Sequence, residues 1–101
     1  MDELTRVTAP TLDVLAQLLG STDPTWGLLI VKATGRPAGT VYPILDRLER
    51  LGWIESEWEV GDRPGARRRL YSLTGEAELA TTRLMAERRP ASQAAAREAL
   101  A

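Results

Sequence analysis

The sequence contains no cysteine and no histidine. The first absence removes a disulfide framework, a thiolate metal site and a cysteine nucleophile. The second removes the imidazole base, the Ser–His–Asp relay and the commonest metal ligand. Phenylalanine is also missing, and Lys32 is the single lysine among 13 basic residues. Most hydrolytic chemistry at neutral pH is thereby excluded, and no metal or cofactor is expected. Long apolar runs are lacking too: the longest, Leu28–Val31, is far too short to cross a bilayer. Met1-Asp2-Glu3 is acidic where a secretory leader would be basic, so the reading is of a soluble cytoplasmic chain with no membrane partner. What remains is 101 residues with 44% apolar content, enough for one small globular core.

The net charge of −1 argues, taken whole, against a nucleic-acid partner, but its distribution is uneven. Residues 1–31 carry Asp2, Glu3, Asp13 and Asp23 against Arg6, a local charge of −3. Residues 32–54 carry Lys32, Arg36, Arg47 and Arg50 against Asp46 and Glu49, a local +2. Residues 61–71 carry Arg63, Arg67, Arg68 and Arg69 against Asp62, a local +3. The positive charge is concentrated in two segments of the middle and later chain.

Apolar spacing places those segments on elements. Leu12, Leu15, Ala16 and Leu19 form one helical stripe over about 8–19, with Thr8 or Thr11 as cap and Pro10 in the first turn. Val14 and Leu18 form a second stripe, which leaves two readings: a central core helix, or one that also meets another subunit. A second helix is predicted from Pro24 or Thr25 to about Ala33, with Trp26 either in the core or lining a dimer cleft. The turn Thr34-Gly35-Arg36-Pro37 leads into a third helix over about 38–51, where Val41, Ile44, Leu45, Leu48 and Leu51 repeat at 3.6 residues. Pro43 sits awkwardly in it. It is harmless if Thr40 is the cap and costs a hydrogen bond if the helix begins at Ala38. Gly52 ends that helix.

Beyond Gly52 the period becomes two. Ile54, Ser56 and Trp58 alternate with Glu55, Glu57 and Glu59, and Arg67 to Leu73 reads as the return strand of a hairpin whose tip spans about 59–68. Trp53 and Trp58 are expected to anchor this hairpin in the core. Thr74 caps a last helix carrying Ala77, Ala80, Leu84 and Met85, ending by Pro90, and residues 91–101 form a helix-prone tail. The fold class is therefore mainly α with a small β-hairpin: a winged helix-turn-helix over 1–74, followed by a C-terminal helix and tail over 75–101.

In such an architecture the third helix enters the DNA major groove and the hairpin tip reaches the backbone. Four arginines within residues 63–69 suit phosphate, because guanidinium is planar, permanently charged and bidentate. The competing reading pairs them with Glu55, Glu57 and Glu59 across the hairpin. Those three glutamates share one strand face and converge with nothing from another element, so they make no acid–base site, and an enzyme is not expected. A winged helix can also be a protein–protein interaction module without specific DNA binding, which stands as the alternative.

Gly39-Thr40-Val41-Tyr42-Pro43-Ile44-Leu45, with Arg47-Leu48-Glu49 and Leu51-Gly52-Trp53-Ile54, resembles the recognition-helix signature of the PadR family. Gly65-Ala66-Arg67-Arg68-Arg69-Leu70-Tyr71-Ser72-Leu73-Thr74 resembles the wing of the same family. The resemblance covers roughly 8–85 and matches the compact branch with a short C-terminal part. It implies a homodimeric bacterial transcription regulator, usually a repressor, on an inverted-repeat operator. The implied DNA contacts are Arg36, Ala38, Gly39, Thr40, Tyr42, Pro43, Arg47 and Arg50 around the third helix, and Arg63, Arg67 and Arg68 in the wing. Thr40 and Tyr42 would give hydroxyls to phosphate; their plainer roles are cap and half-buried packing. The implied dimer interface joins the first and last helices of two subunits through Val14, Leu18, Leu79, Leu84 and Met85. Compact members can hold planar drugs between tryptophans of the last helix, but no aromatic residue follows Tyr71 here. A small-molecule effector, if there is one, stays unassigned.

Overall fold

A computed structural model describes residues 1–61 and 64–88. Arg63 and the tail 91–101, both subjects of the expectations above, lie outside the described residues. The elements are α1 (Ala9–Gly20), β1 (Thr25–Trp26), α2 (Gly27–Thr34), α3 (Ala38–Arg50), β2 (Ile54–Trp58), β3 (Arg69–Leu73) and α4 (Gly75–Glu87). No helix among the described residues is long and apolar enough to cross a membrane.

Local chemistry sets the helix boundaries. Thr8 caps α1, its hydroxyl accepting from the Thr11 amide at 3.3 Å, and Thr74 caps α4 by accepting from the Ala77 amide at 3.1 Å. Gly35, at φ 72°, closes α2 in the left-handed conformation that glycine adopts without cost. At the end of α3 the Gly52 amide donates to the Glu49 carbonyl at 3.1 Å, and the Trp53 amide donates to Leu48 at 2.9 Å. That pair of bonds, with Gly52 at φ 80°, is a Schellman stop. The same corner is clamped by the N-terminal segment. The Asp2 amide donates to the Leu51 carbonyl at 2.8 Å, and the Trp53 indole N–H donates to the Asp2 carbonyl at 2.7 Å.

The helix-turn-helix and hairpin take their expected order, but the sheet has three strands, arranged β1-β3-β2 and antiparallel throughout. Thr25 and Trp26, expected to open the second helix, instead pair with Tyr71 and Leu70, and α2 starts only at Gly27. Helix α3 starts at Ala38 with Pro37 at its cap position, so Thr40 is not the cap and Pro43 lies inside the helix.

The core joins Val14, Leu15 and Leu18 of α1, Ile30 of α2, Val41, Leu45 and Leu48 of α3, and Trp53, Ile54, Tyr71 and Ala77 from the later chain. Each fully buried Leu, Ile or Val contributes about 1.5–3 kcal/mol by leaving water. Here the expected α1 faces are corrected. Val14 is 0% and Leu18 5% exposed inside this one chain, so neither is available to a partner subunit, whereas Ala16 and Leu19 of the expected core stripe are exposed. Thr11 explains the displacement. Its hydroxyl lies 3.0 Å from that of Thr8, which satisfies it and lets Thr11 join Val14, Leu15 and Leu18 on the inner face. Leu84 and Met85 are half-buried against the same core, while Leu79 stays exposed.

Candidate nucleic-acid interface

Helix α3 presents its expected outer face. Val41, Leu45 and Leu48 turn inward, which leaves Ala38, Gly39, Tyr42, Pro43, Arg47 and Arg50 exposed and Thr40 half-exposed. No side chain caps its first turn; the Thr40 amide turns back to the Pro37 carbonyl at 2.9 Å, which leaves the Ala38 and Gly39 amides for an outside acceptor. Arg47 forms no ion pair among the described residues, and Arg50 is 3.3 Å from Asp46, an exposed pair one turn away that is worth little. Arg36 is committed elsewhere: its guanidinium grips Asp13 of α1 at 2.9 and 3.0 Å and ties the turn before α3 to the first helix.

The wing arginines are held in three different ways. Arg67 is exposed, and its Nε donates to the backbone carbonyl of Glu59 at 3.2 Å. Arg68 lies 4.1 Å over the Trp26 ring and 3.8 Å from the Glu59 carboxylate. Arg69 is 3.4 Å from Glu49 on α3 and 5.4 Å over the Trp58 ring. Among the described wing arginines the cross-hairpin pairing considered from sequence thus describes Arg68, and Arg69 bridges to the recognition helix instead. Stacking on an indole limits the freedom of a guanidinium without neutralising it.

One aromatic residue departs from expectation. Trp58 is 54% exposed rather than core, because β2 runs outward past the helices that cover Ile54. Trp26 is half-buried and serves β1 and Arg68. Tyr71, opposite Ser56 and Thr25, is buried, and that burial pushes its phenol above the ordinary value even though Arg69 pulls it back.

Gly27 is a site residue that periodicity did not reveal. A Cβ at this position would collide with the Tyr42 ring, so the first turn of α2 is cut away to seat that tyrosine. The available signal was a glycine directly after a tryptophan at a helix start. Tyr42 then borders a groove of about 630 Å³ between α2 and the upper hairpin. That groove brings Tyr42, Arg67 and Arg68 together; Ala38, Gly39, Thr40, Pro43, Arg47 and Arg50 remain on α3 outside it, and Arg36 faces α1.

A family model, that of the transcriptional regulator PadR-like family, matches residues 15–81. A PadR family transcriptional regulator from Eggerthella lenta is 33% identical, with a TM-score of 0.62 over 76% of this chain and 69% of that one. A PadR-like transcription factor from Bacteroides fragilis is 26% identical, with a TM-score of 0.62 over 85% of this chain and 87% of that one. ZitR of Lactococcus lactis shares 17% identity and the fold, with a TM-score of 0.73 over 97% of this chain, which spans only 63% of the length of that protein. No curated protein matches the sequence.

Proposed function

This chain belongs to the PadR-like family of transcriptional regulators, whose members are not enzymes, and from that premise we propose that it is a sequence-specific, duplex-DNA-binding repressor acting as a homodimer. The observation that carries the reading is the convergence of Tyr42 at the open end of α3 with Arg67 and Arg68 of the wing. The outer-face residues of α3 (Ala38, Gly39, Thr40, Tyr42, Pro43, Arg47 and Arg50) face the major groove. There a few side chains read base edges, while Thr40, Tyr42 and the first-turn amides hold phosphate. Arg63, Arg67 and Arg68 take the neighbouring backbone. Arg36 contributes once its pair with Asp13 opens.

The second unit, residues 75–101, supplies the subunit contact. Leu79 is exposed on α4, as are Ala16 and Leu19 on α1, which supports an isologous contact between these helices with Leu84 and Met85 at its edge. Two-fold symmetry then matches an inverted-repeat operator, and the site of action is the cytoplasm.

The test is a binding assay on the chain's own upstream DNA with a salt titration. A dimer neutralising about eight phosphates gives a log–log slope of roughly −7. A slope near zero sinks the phosphate contacts. In sedimentation at micromolar concentration, a strict monomer removes the dimer and leaves the interface assignment without support.

A further inference from the structure

Glu49 lies between Arg47 and Arg50 on α3, yet its carboxylate serves the hairpin. Its Oε2 accepts the Ser56 hydroxyl of β2, and the Arg69 guanidinium of β3 lies 3.4 Å from the same oxygen. One atom of the recognition helix thus holds both strands of the wing. Alternation explains the place. Ile54, Ser56 and Trp58 share one face of β2; Ile54 reaches the core, and at Ser56 the cover over that face ends. Unlike the exposed pair of Asp46 and Arg50 within α3, Glu49 reaches 7 positions to Ser56 and 20 to Arg69, and its bonds are charge-assisted. Strand β1 pairs with β3 at Leu70 and Tyr71, so the hairpin beyond them is a two-stranded ribbon, a form that twists readily. Arg68 on the Trp26 ring tethers that ribbon toward α2, and Arg69 on Glu49 tethers it toward α3.

We propose that Glu49 is a positioning residue for DNA binding: it fixes the pitch of the wing against the recognition helix. Arg67 and Arg68 then meet the DNA backbone in register with the α3 side chains in the major groove. A wing already held in place presents its arginines without further ordering, whereas a loose wing loses part of each contact to being ordered. The register on DNA rests on the DNA-binding reading; the hold on the wing does not. The sign of the effect separates positioning from simple charge. A carboxylate near DNA repels phosphate, so by electrostatics alone its removal tightens binding. Loss of positioning weakens binding instead.

The first measurement is amide exchange on the full chain without DNA. In Glu49→Ala, exchange at Glu59, whose N–H donates to the Arg68 carbonyl at 2.8 Å, should quicken about tenfold. Exchange at Thr74, whose N–H donates to the Trp53 carbonyl at 3.1 Å at the inner end, should stay as in the native chain. Ser56→Ala should move the Glu59 amide the same way by less. An equal change at both amides, or none at Glu59, overturns the hold on the wing. The second measurement is affinity for the upstream duplex in a cycle of Glu49→Ala with Arg67→Ala. Per subunit, Glu49→Ala should weaken binding about fivefold, and Arg67→Ala about tenfold alone but only about twofold when Glu49 is already gone. Independent sites would instead multiply to about fiftyfold. Glu49→Gln keeps an acceptor for Ser56 and should fall between Glu49→Ala and the native chain. Binding by Glu49→Ala that is unchanged or tighter, or an equal loss from Arg67→Ala in both backgrounds, overturns the positioning role. A chain that binds no DNA refutes the proposed function and this role with it, while exchange at Glu59 still decides the hold on the wing.

Discussion

The two ends of the β2–β3 hairpin share one alternation and have opposite fates. At the inner end Ile54 pairs with Leu73, and Ile54 is closed off with Trp53 in the core. At the outer end Trp58 pairs with Arg69, and the tryptophan stands in water with a guanidinium over its ring. Between them Ser56, opposite Tyr71, donates its hydroxyl to Glu49 of α3, where the cover supplied by the helices gives out. Alternation reports which residues share a face. Whether that face is covered depends on how far the neighbouring helices reach, and for Trp58 they do not reach.

The sharpest way to break this comparison is to truncate both tryptophans. Trp53→Ala removes a buried indole and leaves the Asp2 carbonyl without its donor, a loss of about 3–5 kcal/mol. Trp58→Ala should cost less than about 1 kcal/mol, in line with surface substitutions. Denaturant midpoints for the pair check both, and equal losses would place Trp58 in the core after all.

A second contrast lies between glycines. Gly27→Ala drives a methyl into the far end of the exposed Tyr42 ring, which must leave its seat; this costs about 1 kcal/mol or less of stability and should weaken DNA binding with it. Gly39→Ala meets nothing within 4 Å and should stabilise the free protein by about 0.5–1 kcal/mol, while the added methyl stands between α3 and DNA. Thermal melts with and without duplex separate the two effects.

In the wing, Arg67→Ala should weaken binding about tenfold for each of the two subunits, one charge-assisted phosphate contact being lost from each. It should also reduce the salt slope of a dimer by about 2, on all sequences alike. Filter binding at several salt concentrations measures this, and an unchanged slope would reassign Arg67 to its bond with the Glu59 carbonyl.

The smallest effect is alkaline. The folded Tyr71 phenol holds its proton more tightly than in the unfolded chain, so its contribution is complete below the ordinary phenol value of about 10 and fades as pH rises past it. Stability measured from pH 8 to 11 should fall at the upper end in the native protein, and less steeply in Tyr71→Phe.

Much of this was legible in the residues because it is local. The cap at Thr74, the stop at Gly52 and the inward stripe of α3 are decided within a few positions and stand where spacing put them, and of the two caps open to α1 it is Thr8 that serves. The misplacements have physical causes of longer range. A two-residue strand has no period to detect, and Thr25–Trp26 becomes β1 only because β3 offers a free edge. Val14 and Leu18 read as a separate second stripe because Thr11 counts as polar until its hydroxyl finds Thr8. In the candidate site the arginines were visible, as was Glu59 beside Arg68, but the partners of Arg36 and Arg69 were not. Asp13 and Glu49 lie 23 and 20 positions from Arg36 and Arg69 in sequence. Gly27 has meaning only once α3 brings Tyr42 beside it.

Pro43, the sixth residue of α3, gives that helix a mechanical character. Lacking an N–H, it leaves the Gly39 carbonyl without the rung that would brace the first turn against the second. Ala38, Gly39 and Thr40 therefore form a compliant tip on a shaft made stiff by Val41, Leu45 and Leu48 in the core. A tip of that kind can tilt to follow a groove whose width varies from one sequence to another. The shaft behind it keeps its seat.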